Sequence, residues 1–274
     1  MTHPDLPQPN PRLRNVHDHL PRFASLRTIS ALMLREMSAS YGRNPGGYVW
    51  AILEPAMGLA LMVALFSLGF RTPPLGTNFA IFYASGLLPF FMFMTTAAKV
   101  QQSIGYSKRL LAYPRVTFMD TLIARFALNL LTQATVSLVI LFIILSTSET
   151  RTILHLGRLL NAYAMAAAVG FGIGALNSVL VARNPIWSTV WSVITRPLVL
   201  VSGVIFLHDR VPEPYDRWLE WNPLVHVVGE ARRAFYYSYR GAYVDEVYTY
   251  GFALVTTVIG LLFLRSYHRD LLER

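Results

Sequence analysis

Cysteine is absent from the 274 residues of this chain, which excludes disulfides, thiolate nucleophiles and cysteine metal sites. Lysine is nearly absent: there are only Lys99 and Lys108, preceded by Ala98 and Ser107. A phosphate-cradling P-loop ends in Gly-Lys, so ATP hydrolysis by that motif is excluded too. Charge is sparse, at 14% of residues against roughly 25% in ordinary soluble domains. No compact polar motif marks a catalytic centre. His155, His208 and His226 are isolated from one another, scattered Ser and Asp residues supply no triad, and His17 and His19 sit in a tail too irregular to preform a metal site.

What is there is apolar. Hydrophobic residues make up 54% of the chain and the mean hydropathy is +0.41. Long apolar runs predict spans at about 48 to 70, 79 to 98, 121 to 146, 159 to 182, 186 to 207 and 247 to 264. Each is near the length that crosses roughly 30 Å of hydrocarbon at about 1.5 Å per residue. The chain is therefore read as an all-α integral membrane protein with one transmembrane domain of six helices, residues 48 to 264.

An even span count puts both termini on one side. Arg12, Arg14, Arg22, Arg27, Arg35 and Arg43 precede the first span; Lys108, Arg109 and Arg115 follow the second, and Arg265, Arg269 and Arg274 follow the last. These segments alternate as cytoplasmic loops should, so both termini are expected in the cytoplasm, and the formal +9 charge is read as membrane topology rather than nucleic-acid binding.

Residues 1 to 22 carry Pro4, Pro7, Pro9, Pro11 and Pro21 and are expected to form a disordered cytoplasmic tail; residues 265 to 274 form a second tail. With no apolar run close behind the first basic residues, the first span is expected to act as the insertion signal. Residues 23 to 40 place Leu26, Ile29, Met33 and Met37 at helical spacing, with Arg27, Ser30, Arg35 and Glu36 largely on other faces. This predicts an amphipathic interface helix or, alternatively, an extension of the first span, although Gly42, Pro45, Gly46 and Gly47 favour a break.

The connection from 208 to 246 is net acidic, with seven Asp and Glu against five Arg, as expected of a translocated segment. Trp218, Trp221 and Tyr236 are among its many aromatics, which suit an interface. A re-entrant hairpin between helices five and six, around Pro223 to Tyr236, is one reading; a surface loop with an aromatic collar is the other.

Three motifs occur in order: Tyr41-Gly42-Arg43-Asn44-Pro45-Gly46-Gly47-Tyr48 running on to Glu54-Pro55; Ser85-Gly86-Leu87-Leu88-Pro89-Phe90-Phe91 with the later Tyr113-Pro114-Arg115; and Trp221-Asn222-Pro223-Leu224-Val225-His226 followed by Glu230-Ala231-Arg232-Arg233. In this ordering the chain resembles type-2 ABC exporter permeases, and among them the KpsM-type permeases of capsular polysaccharide export, over about residues 25 to 270. The resemblance implies a bacterial inner-membrane subunit working as a homodimer, with a polysaccharide conduit between protomers and an ABC ATPase docked under each. ATP and magnesium would be bound by that partner, and no cofactor by this chain. A periplasmic co-polymerase, an outer-membrane channel and membrane lipids are the further implied partners. The segment holding Lys108, Arg109, Leu110, Leu111, Tyr113, Pro114 and Arg115 corresponds to the family's coupling helix. Read from its residues alone, it offers apolar and charged contacts to a partner or simply anchors topology.

Charged residues inside spans are costly and mark functional candidates. Glu54 precedes Pro55 in the first span and either faces a cavity or forms an interfacial or paired structural group. Arg125 opens the third span and reaches headgroups or the path. Arg196, near the middle of the fifth span and next to Pro197, costs about 2.5–3.5 kcal/mol on translocon scales, so it should find an anion: an acidic substrate, its lipid linker, or a partner such as Glu54. Trp187 and Trp191 share a helix face and form either a slippery carbohydrate surface or an aromatic belt. Gly170, Gly172 and Gly174 predict close helix packing rather than a dinucleotide site, since no strand precedes them.

The expected function is outward movement of a lipid-linked acidic capsular polysaccharide, driven by a separate ATPase. O-antigen, teichoic acid or another lipid-linked glycan is the alternative cargo. A membrane-embedded glycosyltransferase is the alternative of a different class.

Overall fold

The computed structural model describes residues 24–41, 46–111, 116–149 and 152–273. Among these residues all regular structure is helical. The tail at 1 to 22, with His17 and His19, lies outside them, as do Tyr113, Pro114 and Arg115.

Helix α1, Ala24–Tyr41, packs along α5, Phe118–Thr147. The periodicity of the sequence puts Glu36 on the polar face of α1, whereas the structure turns it inward and leaves Leu26 and Met37 exposed. The reason is non-local: Glu36 meets a buried arginine of α5. The start of α5 is set by a capping box, in which Asp120 N donates to Thr117 Oγ1 at 3.2 Å and Thr117 N donates to Asp120 Oδ2 at 3.0 Å. Ser25 Oγ donates to the other oxygen of the same carboxylate at 2.9 Å, which ties the start of α1 to the start of α5.

Helix α2, Gly47–Gly69, begins after Gly46, whose φ of 85° suits glycine. It carries Pro55 in its interior and leaves Val49, Leu53, Met57, Leu61, Leu65 and Leu68 exposed along one side. Helix α3, Phe79–Gln101, is capped by Asn78, whose Oδ1 accepts from Ala80 N at 2.8 Å, and is buried along most of its length. A short α4, Ser103–Leu111, follows and includes Lys108, Arg109, Leu110 and Leu111.

Helix α6, Leu156–Arg183, is the other central element and packs on α3 and on α11, Glu246–Glu273. Lipid tails are as apolar as leucine, so close approach rather than water exclusion must hold these helices together. The glycines of α6 supply it. A Cβ at Gly170 or Gly174 would meet the α3 carbonyls of Phe93 at 3.0 Å and Ala97 at 2.9 Å, and one at Gly172 would meet Ala253 O of α11 at 2.7 Å. Alternate glycines thus serve opposite neighbours, in keeping with the packing role expected from the sequence.

Among the described residues, five helices are long and apolar enough to cross a membrane: α2, α3, α5, α6 and α11. The expected continuous span at 186 to 207 is instead two short pieces, α7 Ile186–Thr195 and α8 Leu198–Val201, separated at Arg196 and Pro197. Proline has no N–H to continue the ladder and its ring crowds the preceding turn. Beyond α8, Gly203 turns the chain with a φ of 72°. A single 3-10 turn, His208–Arg210, and α9, Tyr215–Leu219, lead to α10, Pro223–Phe235. Helix α10 is buried along nearly all its length against α3, α6 and α11.

Candidate functional site

A groove of about 360 Å³ opens between α2, α3 and the α7–α8 break. Gly58, Leu61 and Leu65 line it from α2, Phe90 and Phe91 from α3, and Arg196 is the only charged lining residue among the described residues. The α2 residues recur at helical spacing, so one face of that helix forms a continuous apolar wall. The Pro197 break leaves Arg196 exposed beside this wall. Glu54 is also exposed, one turn before Gly58 on α2, and no ion pair joins it to Arg196.

The other sequence-identified residues fall elsewhere. Trp187 and Trp191 are half-buried on α7; Trp187 Nε1 donates to Asn177 Oδ1 of α6 at 2.9 Å, which fixes the ring's polar edge toward protein. Arg125 is buried against α1 and α4. Its Nε donates to Glu36 Oε2 at 2.7 Å, its Nη1 donates to Lys99 O at 3.2 Å, and its guanidinium lies 4.2 Å from the centre of the Tyr106 ring. One arginine therefore joins α1, the end of α3, α4 and the long α5. Glu36 and Tyr106 are members of this clamp that sequence reasoning missed. The available signal was a carboxylate on an amphipathic helix with no cation at i±4 and an arginine in a long apolar run.

A second buried cation was quoted in the sequence only as part of a motif. Arg232 of α10 is fully buried, donating from Nη1 to Phe206 O at 2.8 Å and from Nη2 to Val204 O at 3.0 Å, with its guanidinium 4.5 Å from the Phe82 ring centre. It secures the irregular segment after α8 onto α10. Burial lowers its pKa from the ordinary arginine value. Two positions earlier, Glu230 accepts from Arg233 Nη1 at 2.9 Å; burial raises its carboxyl pKa, and the arginine partly offsets that rise.

His226 is also used structurally. Asp245 N donates to its Nδ1 at 3.1 Å, leaving Nε2–H to donate to Glu220 O at 2.8 Å. The His208 ring stacks on Tyr243 with 3.9 Å between centres. Among the described residues no group of three or more His, Asp or Glu side chains could hold a metal ion.

The arrangement is thus a helical membrane body with an open apolar groove, a lone exposed cation beside it, and a buried clamp at the end carrying α1 and α4. Residues 27–236 match the family described as ABC-2 type transporter. The chain is 32% identical over 240 residues to the polysialic acid transport protein KpsM of Escherichia coli, covering 87% of this chain and 93% of the relative. It is 26% identical over 224 residues to the capsule polysaccharide export inner-membrane protein CtrC of Neisseria meningitidis, covering 82% of each. It is 23% identical over 251 residues to the capsule polysaccharide export inner-membrane protein BexB of Haemophilus influenzae, covering 89% of this chain and 92% of the relative. The chain belongs to the ABC-2 type transporter family and is a membrane permease homologous to capsule polysaccharide export inner-membrane proteins.

Proposed function

We propose that this chain is the membrane subunit of an ATP-driven exporter that moves a lipid-linked acidic capsular polysaccharide outward across the inner membrane, as a homodimer with two ABC ATPase subunits. The broken 186 to 207 segment makes the fifth of six crossings, both termini lie in the cytoplasm, α1 rests at the interface and α10 enters the membrane from outside and returns. ATP and magnesium belong to the ATPase, and a periplasmic co-polymerase and an outer-membrane channel continue the path.

The observation that carries this reading is Arg196, exposed beside an apolar groove at the break in its span. A cation there is expensive unless an anion or water meets it. An acidic polymer passing between two copies of the open α2 face supplies that anion, while the apolar wall offers no fixed hydrogen bonds to hold the sugar back. The polysialic acid in the name of the KpsM relative fits the same charge. The Arg125 clamp gives the motor its purchase: a push on α1 or α4 moves α5 with it.

The test is reconstitution of the chain with its ATPase in vesicles. Polymer should cross only when the ATPase is competent, and undiminished export with a hydrolysis-dead ATPase refutes the reading.

A further inference from the structure

A second cavity, of about 460 Å³, lies where α2 ends and α3 begins, closed on one side by the segment after α8. Its size falls in the roughly 300–1,000 Å³ range of small-ligand sites. Five aromatic residues line the cavity: Phe206 from the segment after α8, and four at the end of α2 and the start of α3 that form a continuous ladder. The Phe70 and Phe66 rings stack with centres 6.1 Å apart, Phe66 leans on Tyr83 at 5.2 Å, and Tyr83 stacks with Phe79 at 6.4 Å. The rim holds Arg71 and Arg210, and among the described residues no Asp or Glu lines the cavity.

Both arginines are exposed, and neither forms an ion pair among the described residues. Arg210 is nonetheless held in place: its Nη2 donates to Pro74 O at 2.9 Å, across 136 positions of sequence. That bond uses one of five guanidinium N–H donors and leaves the rest of the planar fork available. Two like charges converge on one aromatic-walled space without a counter-charge, and an anion with a flat apolar body completes it.

We propose that this cavity binds a carboxylated sugar, with Arg71 and Arg210 on the carboxylate and the aromatic wall against the C–H face of the ring. The exporter reading above supplies the sugar's source, and on that reading the cavity lies at the outward end of the path. Arginine forks match carboxylates in two-point geometry, and aromatic faces suit sugar rings without demanding one orientation. A lipid phosphate needs the arginines alone and leaves the aromatic ladder unused, which favours the sugar.

The experiment uses the full chain with its ATPase, without nucleotide, in nanodiscs of phosphatidylcholine. The probes are a hexamer of galacturonic acid and, as the neutral counterpart, maltohexaose. The acidic hexamer should bind, maltohexaose should bind about tenfold or more weakly, and R71Q/R210Q should lose about tenfold or more of the acidic affinity. R71K/R210K, which keeps the charges, should retain part of it, and R217Q, at an exposed arginine outside the cavity, should change nothing. Absent binding by the wild type, or equal binding by R71Q/R210Q, overturns the site. So does loss of binding when phosphatidylglycerol is added to the disc, because the occupant is then a lipid headgroup. ATP-driven polymer uptake measured on the same preparation keeps the two readings apart: uptake with unaltered binding in R71Q/R210Q rejects the site alone, while absent uptake with arginine-dependent binding rejects the exporter and upholds the site.

Discussion

Arg125 and Glu36, 89 positions apart in the chain, meet in an ion pair of 2.7 Å with side chains only 5% and 9% exposed. The pair binds α1 to the long helix α5. Removing one partner of such a pair leaves the other charge buried, at a cost of about 3–5 kcal/mol. Arg125→Ala should therefore lower the unfolding midpoint of the purified protein sharply, while Glu36→Gln combined with Arg125→Gln should recover much of the loss. Protease accessibility of α1 should rise in the single variant. An unchanged midpoint would show that the pair does not hold the two helices together.

Much of the helical frame was legible because apolar length is a local property: α2, α3, α5, α6 and α11 lie close to their expected spans. The break at Pro197 was hidden because the apolar run continues past it, and composition does not register a missing backbone donor. Glu36 was assigned to the wrong face because its partner is remote in sequence. Arg232 looked like a loop charge, since the carbonyls that hold it, Val204 O and Phe206 O, belong to irregular backbone with no residue code. Arg196 was visible as a charge in a span, but its groove depends on which faces of α2 and α3 turn toward it.

The glycines of α6 offer a graded test of packing. A methyl group at Gly172 must displace the α11 backbone at Ala253 O, 2.7 Å away, whereas one at Gly157 meets nothing within 4 Å. Overpacking typically costs about 1–3 kcal/mol, more where backbone must move. Gly172→Ala should destabilise the protein by at least that amount in thermal unfolding, and Gly157→Ala should not. Equal midpoints for the two variants would remove close approach as the basis of α6–α11 association.

Glu230 should give stability a pH slope. Burial raises its carboxyl pKa above the ordinary value of 4.5, so the folded protein holds the proton more tightly than the unfolded chain. The corresponding stabilisation is complete below the unfolded value and is lost as pH rises through the raised folded value. Glu230→Gln, which cannot ionise, should flatten this part of the profile when unfolding midpoints are followed upward from the ordinary carboxylate range. A slope identical in wild type and variant would assign it to other groups.

Arg196 provides the most direct test of the path. Its side chain is exposed and its neighbours in the groove are apolar, so Arg196→Gln should leave folding intact while removing the groove's only charge. A charge-assisted hydrogen bond contributes about 1.5–3 kcal/mol, so losing one made to the moving polymer should slow its transport by roughly ten- to a hundredfold. Arg196→Lys should keep part of the rate, because the charge persists without the planar fork. Glu54→Gln should not reproduce the effect, since no ion pair links Glu54 to Arg196. The measurement is ATP-driven uptake of polymer by inverted vesicles, with hydrolysis followed in parallel to show that the motor still turns over. Wild-type transport by Arg196→Gln would remove this groove from the path, and equal loss in Glu54→Gln would mean that the two charges act together despite their separation in the single chain.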